Sequence, residues 1–420
     1  MGIENRIKPQ NKRKILNDPV YGFITVPHEL IYDLIEHPYF QRLRRIKQVG
    51  MSSLVYPGAN HTRFHHALGA MHLMSLAIAS LREKEVVITD DEQLGALVAI
   101  LLHDIGHGPF SHTLEFTLVD NVSHEVISAL LMERLNEEFQ GRLETGIAIF
   151  RDTYSKHFLH QLVSSQLDMD RLDYLSRDSF YTGVSEGVVS NQRIIKMLNV
   201  RNDKIVVEEK GIYSIEKFIV ARRLMYWQVY LHKTVVSSEK LLIGILKRAK
   251  FCARRGDELF ASPALRYFLY TDYNRNEFIS NREVLDTFVK LDDYDILGAI
   301  KVWVDHSDPI LSDLCRRLVN RKLFRVRISK TPFDEIETEE LRKKTKEIFG
   351  LTDDEVGYYF LTDRIENNAY LVQKDGITIL TKSGKLTDLT EASDNRSLLA
   401  QTEAVTKYIR CIPKELNHND

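Results

Sequence analysis

The chain has 420 residues, and its 57 lysines and arginines nearly balance 59 aspartates and glutamates, for a formal net charge of −2. That balance excludes a dedicated duplex-DNA binder, which needs a basic face to neutralise phosphates. Three scattered cysteines (Cys252, Cys315 and Cys411) exclude a disulfide framework and fit a reducing compartment. Glycine and proline fill only 20 and 10 positions, so helix breakers are scarce and a helix-rich protein is expected. The first residues, MGIENRIKPQNKRK, contain no apolar stretch of the secretory kind, and no run of 18 apolar residues exists. A cytoplasmic protein without a membrane partner is expected.

In chain order, residues 20–26 read as a short strand or hairpin arm. Residues 30–36 and 40–49 carry apolar side chains at helical spacing, broken at Pro38 and Gly50. A helix is expected over 62–81. Another is expected over 93–105, where Leu94, Leu97, Val98, Leu101, Leu102 and Ile105 trace one stripe and Gly106 supplies the stop. Further helices are expected at 123–138, 155–165, 168–177, 190–198, 214–248 and 281–300. Strand character is confined to small pieces. Residues 204–207 with a return at 211–214 form one candidate hairpin; 322–328 alternates apolar and basic residues; and 370–372 with 377–380 flank a Lys-Asp-Gly turn. The fold class is therefore mainly α, a helical core with small β-hairpins over 15–245 and a mixed α+β C-terminal lobe over 246–420.

Eight of the 15 histidines fall between His61 and His124, where an even spread would put about two. Within that stretch, an amphipathic helix ends in His103-Asp104 and runs into Gly106-His107-Gly108. An adjacent imidazole and carboxylate suit a divalent ion where a helix end faces a cleft. Two more ligands are needed, and they are available upstream at 65–66 and downstream at 168–170. Alone, the His-Asp pair is a short motif with a high false-positive rate.

Longer blocks change that reading. The order His66, His103-Asp104, Asp170 resembles the ligand pattern of the HD superfamily of metal-dependent phosphohydrolases. The strings QRLRRIKQ at 41–48, YPGANHTRF at 56–64, HDIGHGPFSH at 103–112 and LDMDRLDY at 167–174 resemble one branch of it. That branch is the deoxynucleoside triphosphate triphosphohydrolases, which include bacterial dGTPases and the mammalian SAM-and-HD-domain dNTPase. The resemblance covers about 15–245 and is faint beyond. It implies an HD-type helical core and one divalent ion (Mn, Mg, Fe or Zn) on His66, His103, Asp104 and Asp170. That ion would polarise the α-phosphate and help generate or orient the attacking water.

The resemblance also implies roles for other residues. His112 would be the catalytic histidine, with His107 and His124 lining the same pocket. Glu115 would orient one of them, where the family usually carries aspartate. Arg63, Arg171 and Arg222 would hold phosphates. Tyr174 and Tyr230 would pack on the sugar, Gln48 and Asp178 would read its 3′-hydroxyl, and Tyr226 would lie at the base. Helical spacing supports this independently: Arg171, Tyr174 and Asp178 share one stripe, and Arg222, Tyr226 and Tyr230 another. Without the ligands, such stripes would more simply cover a core edge. His61, His65 and His72 are read as structural.

The implied reaction cleaves a dNTP, dGTP foremost, to deoxynucleoside and inorganic triphosphate. The implied partners are a homo-oligomer, tetramer or hexamer, and an activating nucleotide at a subunit interface. The basic run at 12–14, the run at 42–47 and His232-Lys233 are candidates for that second phosphate site, although such runs are more often solvated faces. The helix expected at 335–349 is charged and amphipathic, suiting a surface or interface. Three rival functions remain at this stage: another HD phosphohydrolase (5′-nucleotidase or cyclic-nucleotide phosphodiesterase), a low-turnover nucleotide-sensing module, and single-stranded nucleic-acid binding or cleavage, which the neutral charge disfavours.

Overall fold

In the computed structural model, which describes residues 14–110, 117, 119, 122–367, 370, 376–395 and 405–416, helices carry the fold and the strands gather into three small sheets. The hairpin β1 (Ile15–Asp18) and β2 (Gly22–Thr25) opens the chain, followed by α1 (Glu29–Glu36) and α2 (Pro38–Gln41). Five helices then build the centre: α3 (Arg63–Glu83), α4 (Asp90–Leu102), α5 (His124–Glu138), α6 (Glu144–Phe150) and α7 (His157–Val163). Next come α8 (Met169–Thr182), α9 (Asn191–Met197), the antiparallel pair β3 (Leu198–Arg201) and β4 (Lys204–Glu208), α10 (Ile212–Met225) and α11 (Lys233–Arg255). The C-terminal part adds α12 (Pro263–Tyr270), α13 (Arg275–Ser280), α14 (Arg282–Phe288), α15 (Asp293–Trp303), α16 (Pro309–Val319), β5 (Arg325–Ser329) and α17 (Glu335–Phe349). It closes with β6 (Leu361–Asn367), β7 (Thr378–Leu380), β8 (Leu386–Asp388), α18 (Leu389–Ala392) and β9 (Val405–Ile412). The larger sheets run β3-β4-β7-β8 and β5-β9-β6, with β4 and β7 parallel.

Local chemistry explains where the central helices begin and end. Thr89 and Glu92 form a reciprocal capping box at the start of α4. Asp168 caps α8 by accepting from the Arg171 amide at 2.7 Å, and Gly183, at φ +74°, ends that helix in the left-handed region. By length and composition α3 could span a membrane, but 72% of its most apolar window is buried inside the fold, as befits the helix that α4, α8 and α9 surround. One continuous apolar core runs from Ile24 to Ile412, and residue 245 falls in the middle of the unbroken α11.

Several expected elements are corrected. The 40–49 helix ends in α2 and a 3-10 turn at Arg42–Arg45, after which Lys47 bridges to Thr62. The long helix at 214–248 is interrupted by a π turn at Tyr226–Tyr230 and restarts after His232. Side chains make that break possible: the Tyr56 hydroxyl donates to the Gln228 carbonyl at 2.6 Å, and His232 Nδ1 accepts from the Thr234 amide at 3.2 Å. The 281–300 helix is two helices, the second capped by Asp292. Residues 211–214 are not a return strand but the entry to α10, while β4 pairs with β3 and β7. The expected partner of 377–380 falls partly outside the described residues, and β7 pairs instead with β4 and β8.

Candidate metal centre and nucleotide cavity

Helices α3, α4 and α8 pack side by side and carry His66, the His103-Asp104 pair and Asp170 to one point. Asp170 Oδ1 lies 3.1 Å from His66 Nε2 and 3.6 Å from His103 Nε2. Asp104 lies 3.4 Å from His103 Nε2 and 3.8 Å from His66 Nε2. Donors each about 2.1 Å from a single ion are separated by about 3 to 4 Å, and His66, His103 and Asp170 come together as such a set, while Asp104 groups with His107 and His124 beside it.

Both rings are oriented for that task. His66 Nδ1 is 2.8 Å from Asp173 Oδ2, and His103 Nδ1 donates to the Ile100 carbonyl at 2.6 Å. This leaves the two Nε2 atoms facing the centre, buried and without a hydrogen bond among the described residues. Two imidazole nitrogens converging on one point beside a carboxylate are the arrangement a metal completes once it displaces any proton they hold. The electrostatics agree. Burial alone would lower the His66 pKa, but Asp170 and Asp173 push it up to about 10. Asp170, against its own burial, is held well below the usual carboxylate range by His103 and His66. The centre therefore favours positive charge among these groups.

Behind His66 stands a buried chain that the sequence reading missed. Asp173 takes two bonds from Arg177, each 2.9 Å, and Arg177 reaches Asp18 of the N-terminal hairpin at 2.7 Å. The i, i+3, i+7 spacing of Asp170, Asp173 and Arg177 puts them on one face of α8 but does not name His66 or Asp18 as their partners. Gly69 is required opposite: a Cβ there would lie 1.9 Å from Asp173 Oδ1.

The glycines after Asp104 have a similar role. A Cβ on Gly106 would meet the His124 carbonyl and the Ser128 amide at 2.3 Å. Ser128 Oγ accepts from the Gly106 amide at 2.9 Å and donates to the His103 carbonyl at 2.7 Å. This contact docks α5 on the His-Asp turn and stacks His107 on His124, ring centres 3.8 Å apart. His107 Nε2 sits 3.3 Å from Asp104, and burial with the Arg63 charge depresses its pKa well below the usual histidine value. Arg63 itself is ion-paired with Asp104.

A cavity of about 520 Å³ opens from the centre. Of the residues singled out in the sequence, Gln48, Arg63, Asp104, His107, His124, Asp170, Tyr174, Asp178, Arg222, Tyr226 and Tyr230 line it. His66 and His103 are not among its lining residues. Arg171 lies beside Arg222, its Nε held by the Ser165 carbonyl and Asp168. His112 and Glu115 lie outside the described residues. Burial and the Arg171 charge lower the Arg222 pKa, and Arg222 has no hydrogen bond or ion pair among the described residues. Asp178 is held by His61 Nε2 at 2.7 Å and by the Tyr230 hydroxyl at 2.6 Å, so His61 acts on the site through Asp178. His65 caps α3 and His72 rests against Tyr21. Gln48 Oε1 is buried without a partner among the described residues. Val49, Gly50, Ser52, Phe110, Val235 and Glu239 complete the walls; the sequence assigned none of them a role in the site, although Phe110 lies within the 103–112 string.

Within the basic run at 42–47, Arg42 and Arg45 are engaged inside the fold. Arg42 is buried, donating to the Leu291 and Ile105 carbonyls at 3.1 and 2.8 Å, and Arg45 pairs with Asp292. Lys12 and Arg13 lie outside the described residues, and Lys14 donates to the Tyr32 hydroxyl at 2.7 Å. Lys233 does line a second cavity, of about 310 Å³, with Arg321, Arg325 and Lys414 at the start of α11.

Comparison with known proteins accords with this geometry. Residues 63–178 match the HD domain, and 189–250 match the HD associated region. The chain is 35% identical over 398 residues to the uncharacterized protein YwfO of Bacillus subtilis, covering 91% of this chain and 88% of that one. It is 33% identical over 266 residues to the deoxynucleoside triphosphate triphosphohydrolase SAMHD1 homolog of Dictyostelium discoideum, where it spans about half of that relative (51%). A crystal structure of a phosphohydrolase from Bacteroides thetaiotaomicron superposes with a TM-score of 0.92 at 55% identity, covering 95% of this chain and 99% of that one. The chain belongs to the HD-domain phosphohydrolase family.

Proposed function

We propose that the protein is a metal-dependent dNTP triphosphohydrolase, dGTP being the first substrate to test, releasing deoxynucleoside and inorganic triphosphate. The observation that carries this reading is a single cavity lined by the carboxylates and imidazoles of Asp104, His107, His124 and Asp170 together with Tyr174, Tyr230, Asp178 and Gln48. Its volume suits a nucleotide. A divalent ion on His66, His103, Asp104 and Asp170 would supply charge stabilisation at the α-phosphate. Arg63 and Arg222 lie along the same cavity, and Arg171 stands beside Arg222. This spread of cations suits a chain of phosphates better than one phosphate, against a 5′-nucleotidase or cyclic phosphodiesterase.

The protein's own groups do the positioning. Arg222, which pairs with no carboxylate among the described residues, offers its charge to the polyphosphate. Tyr174 and Tyr230, ring centres 6.4 Å apart, form a corner for the sugar. Asp178, steadied by His61 and Tyr230, keeps lone pairs for a ribose hydroxyl, and Gln48 Oε1 supplies a further acceptor. His107, held neutral by burial and Arg63, stacks with His124 beside Asp104. His112, by resemblance, would protonate or stabilise the leaving 5′-oxygen, with Glu115 orienting a neighbouring histidine. Water attacks the α-phosphorus in line, and the P–O5′ bond breaks.

Incubating the protein with each dNTP and Mn or Mg, with products separated by chromatography, tests the reading. Triphosphate with deoxynucleoside is expected; pyrophosphate with a monophosphate would overturn it. Binding without turnover would favour the sensing module. An activating nucleotide at the Lys233–Arg321–Arg325–Lys414 pocket and a tetrameric or hexameric assembly belong to the same proposal. Charge reversal of Lys233 and Arg325 should then abolish nucleotide activation while basal turnover persists, and light scattering gives the assembly.

A further inference from the structure

Asp293, the first residue of α15, lies outside both matched family segments, yet its buried carboxylate reaches the walls of the cavity. Oδ2 accepts from the Lys47 amide at 2.9 Å, and Oδ1 accepts from the Phe110 amide at 2.8 Å. Lys47 precedes the cavity residue Gln48. Phe110 lines the cavity itself and stands two positions before His112. Phe110 is held at φ +51°, a left-handed backbone that a bulky residue keeps only where its surroundings impose it.

The two residues before Asp293 grip the same segments. The Leu291 carbonyl accepts from Arg42, whose other nitrogen donates to the Ile105 carbonyl next to Asp104, and Asp292 pairs with Arg45. Two backbone N–H groups from distant segments converge on one side chain. Only a carboxylate presents two acceptors and no donor there; an amide of the same shape turns an NH₂ toward one of them. Burial pushes the Asp293 pKa up to about 6, opposed by the bonds from Lys47 and Phe110. The carboxylate is thus kept in an apolar setting where these bonds are its counterweight.

We propose that Asp293 is a positioning residue for this site: by clamping the Lys47 and Phe110 amides it sets Gln48 and Phe110 against the bound nucleotide. Its kinetic consequence rests on the dNTP hydrolase reading; its structural consequence does not. The test compares full-length wild type, Asp293→Asn and Asp293→Ser, all loaded with Mn, by dNTP kinetics, Mn titration, thermal melting and backbone amide exchange.

In Asp293→Asn, kcat/KM should fall about tenfold or more, with a larger loss in Asp293→Ser. Amide exchange over 44–50 and 105–110 should quicken about tenfold. Mn affinity and exchange across α3 and α8 should stay at wild-type values, which a merely structural role would not allow. Unchanged exchange at both segments overturns the proposal, as does loss of Mn binding together with faster exchange throughout. If wild type turns over no dNTP while the two segments still loosen selectively, the hydrolase reading fails and the clamp stands.

Discussion

Asp170 is the residue on which the metal centre turns, because its Oδ1 faces both orphaned imidazole nitrogens. Asp170→Ala should remove the ion, as measured by metal analysis, and lower turnover by about three orders of magnitude; full activity in this variant would show the ligand set to be wrong. His66 sets a pH dependence. Folded and metal-free, it holds a proton up to about pH 10, whereas the unfolded value is about 6.5. The proton therefore stabilises the metal-free fold fully below pH 6.5, and that contribution is lost as pH rises through 10. A divalent ion must displace it, so metal affinity should rise between pH 7 and 9 with release of about one proton per ion. Calorimetry in buffers of different ionisation enthalpy checks this, and pH-independent binding would refute it. Both residues of the centre could be picked out in the sequence, because a ligand must be a histidine or carboxylate. Their orienting partners could not, because Asp173 and the Ile100 carbonyl are defined only by where they end up.

Between elements, close approach decides the geometry. Helix α3 meets α8 at Gly69, and α5 meets the turn after α4 at Gly106. Gly69→Ala should displace the Asp173–Arg177 pair, at a cost of about 1–3 kcal/mol in stability and about 10- to 100-fold in metal affinity. Denaturant melts and metal titration measure the two effects; wild-type values for both would show that the pair has room to yield. The π turn at Tyr226–Tyr230 shows why this level was harder to read. Apolar spacing over 214–248 suits one long helix. The break depends on Tyr56 capturing the Gln228 carbonyl from 172 positions away and on Asp178 taking the Tyr230 hydroxyl. No window along α10 contains that information.

Across the molecule, the C-terminal part is bound into the site through Arg42, a buried cation that donates to two carbonyls, one beside the candidate metal centre and one between α14 and α15. Arg42→Met should leave both carbonyls unpaired and destabilise the fold by about 2–4 kcal/mol in urea titration; an unchanged midpoint would show that other donors replace it. Because one apolar core runs from β2 to β9, scanning calorimetry should show one transition. Two separate transitions would instead support a division near residue 245.

Within the chain itself lay the helix-rich class, the candidate ligands His66, His103, Asp104 and Asp170, and most of the residues lining the cavity, because metal binding and phosphate recognition restrict which side chains can serve. Tertiary structure alone decided that His61 steadies Asp178, that Asp173 aims His66, and that Asp293 ties a distant helix to the cavity wall. Those roles rest on hydrogen bonds between segments up to 246 positions apart, and nothing in the type or local spacing of these residues encodes such a partner.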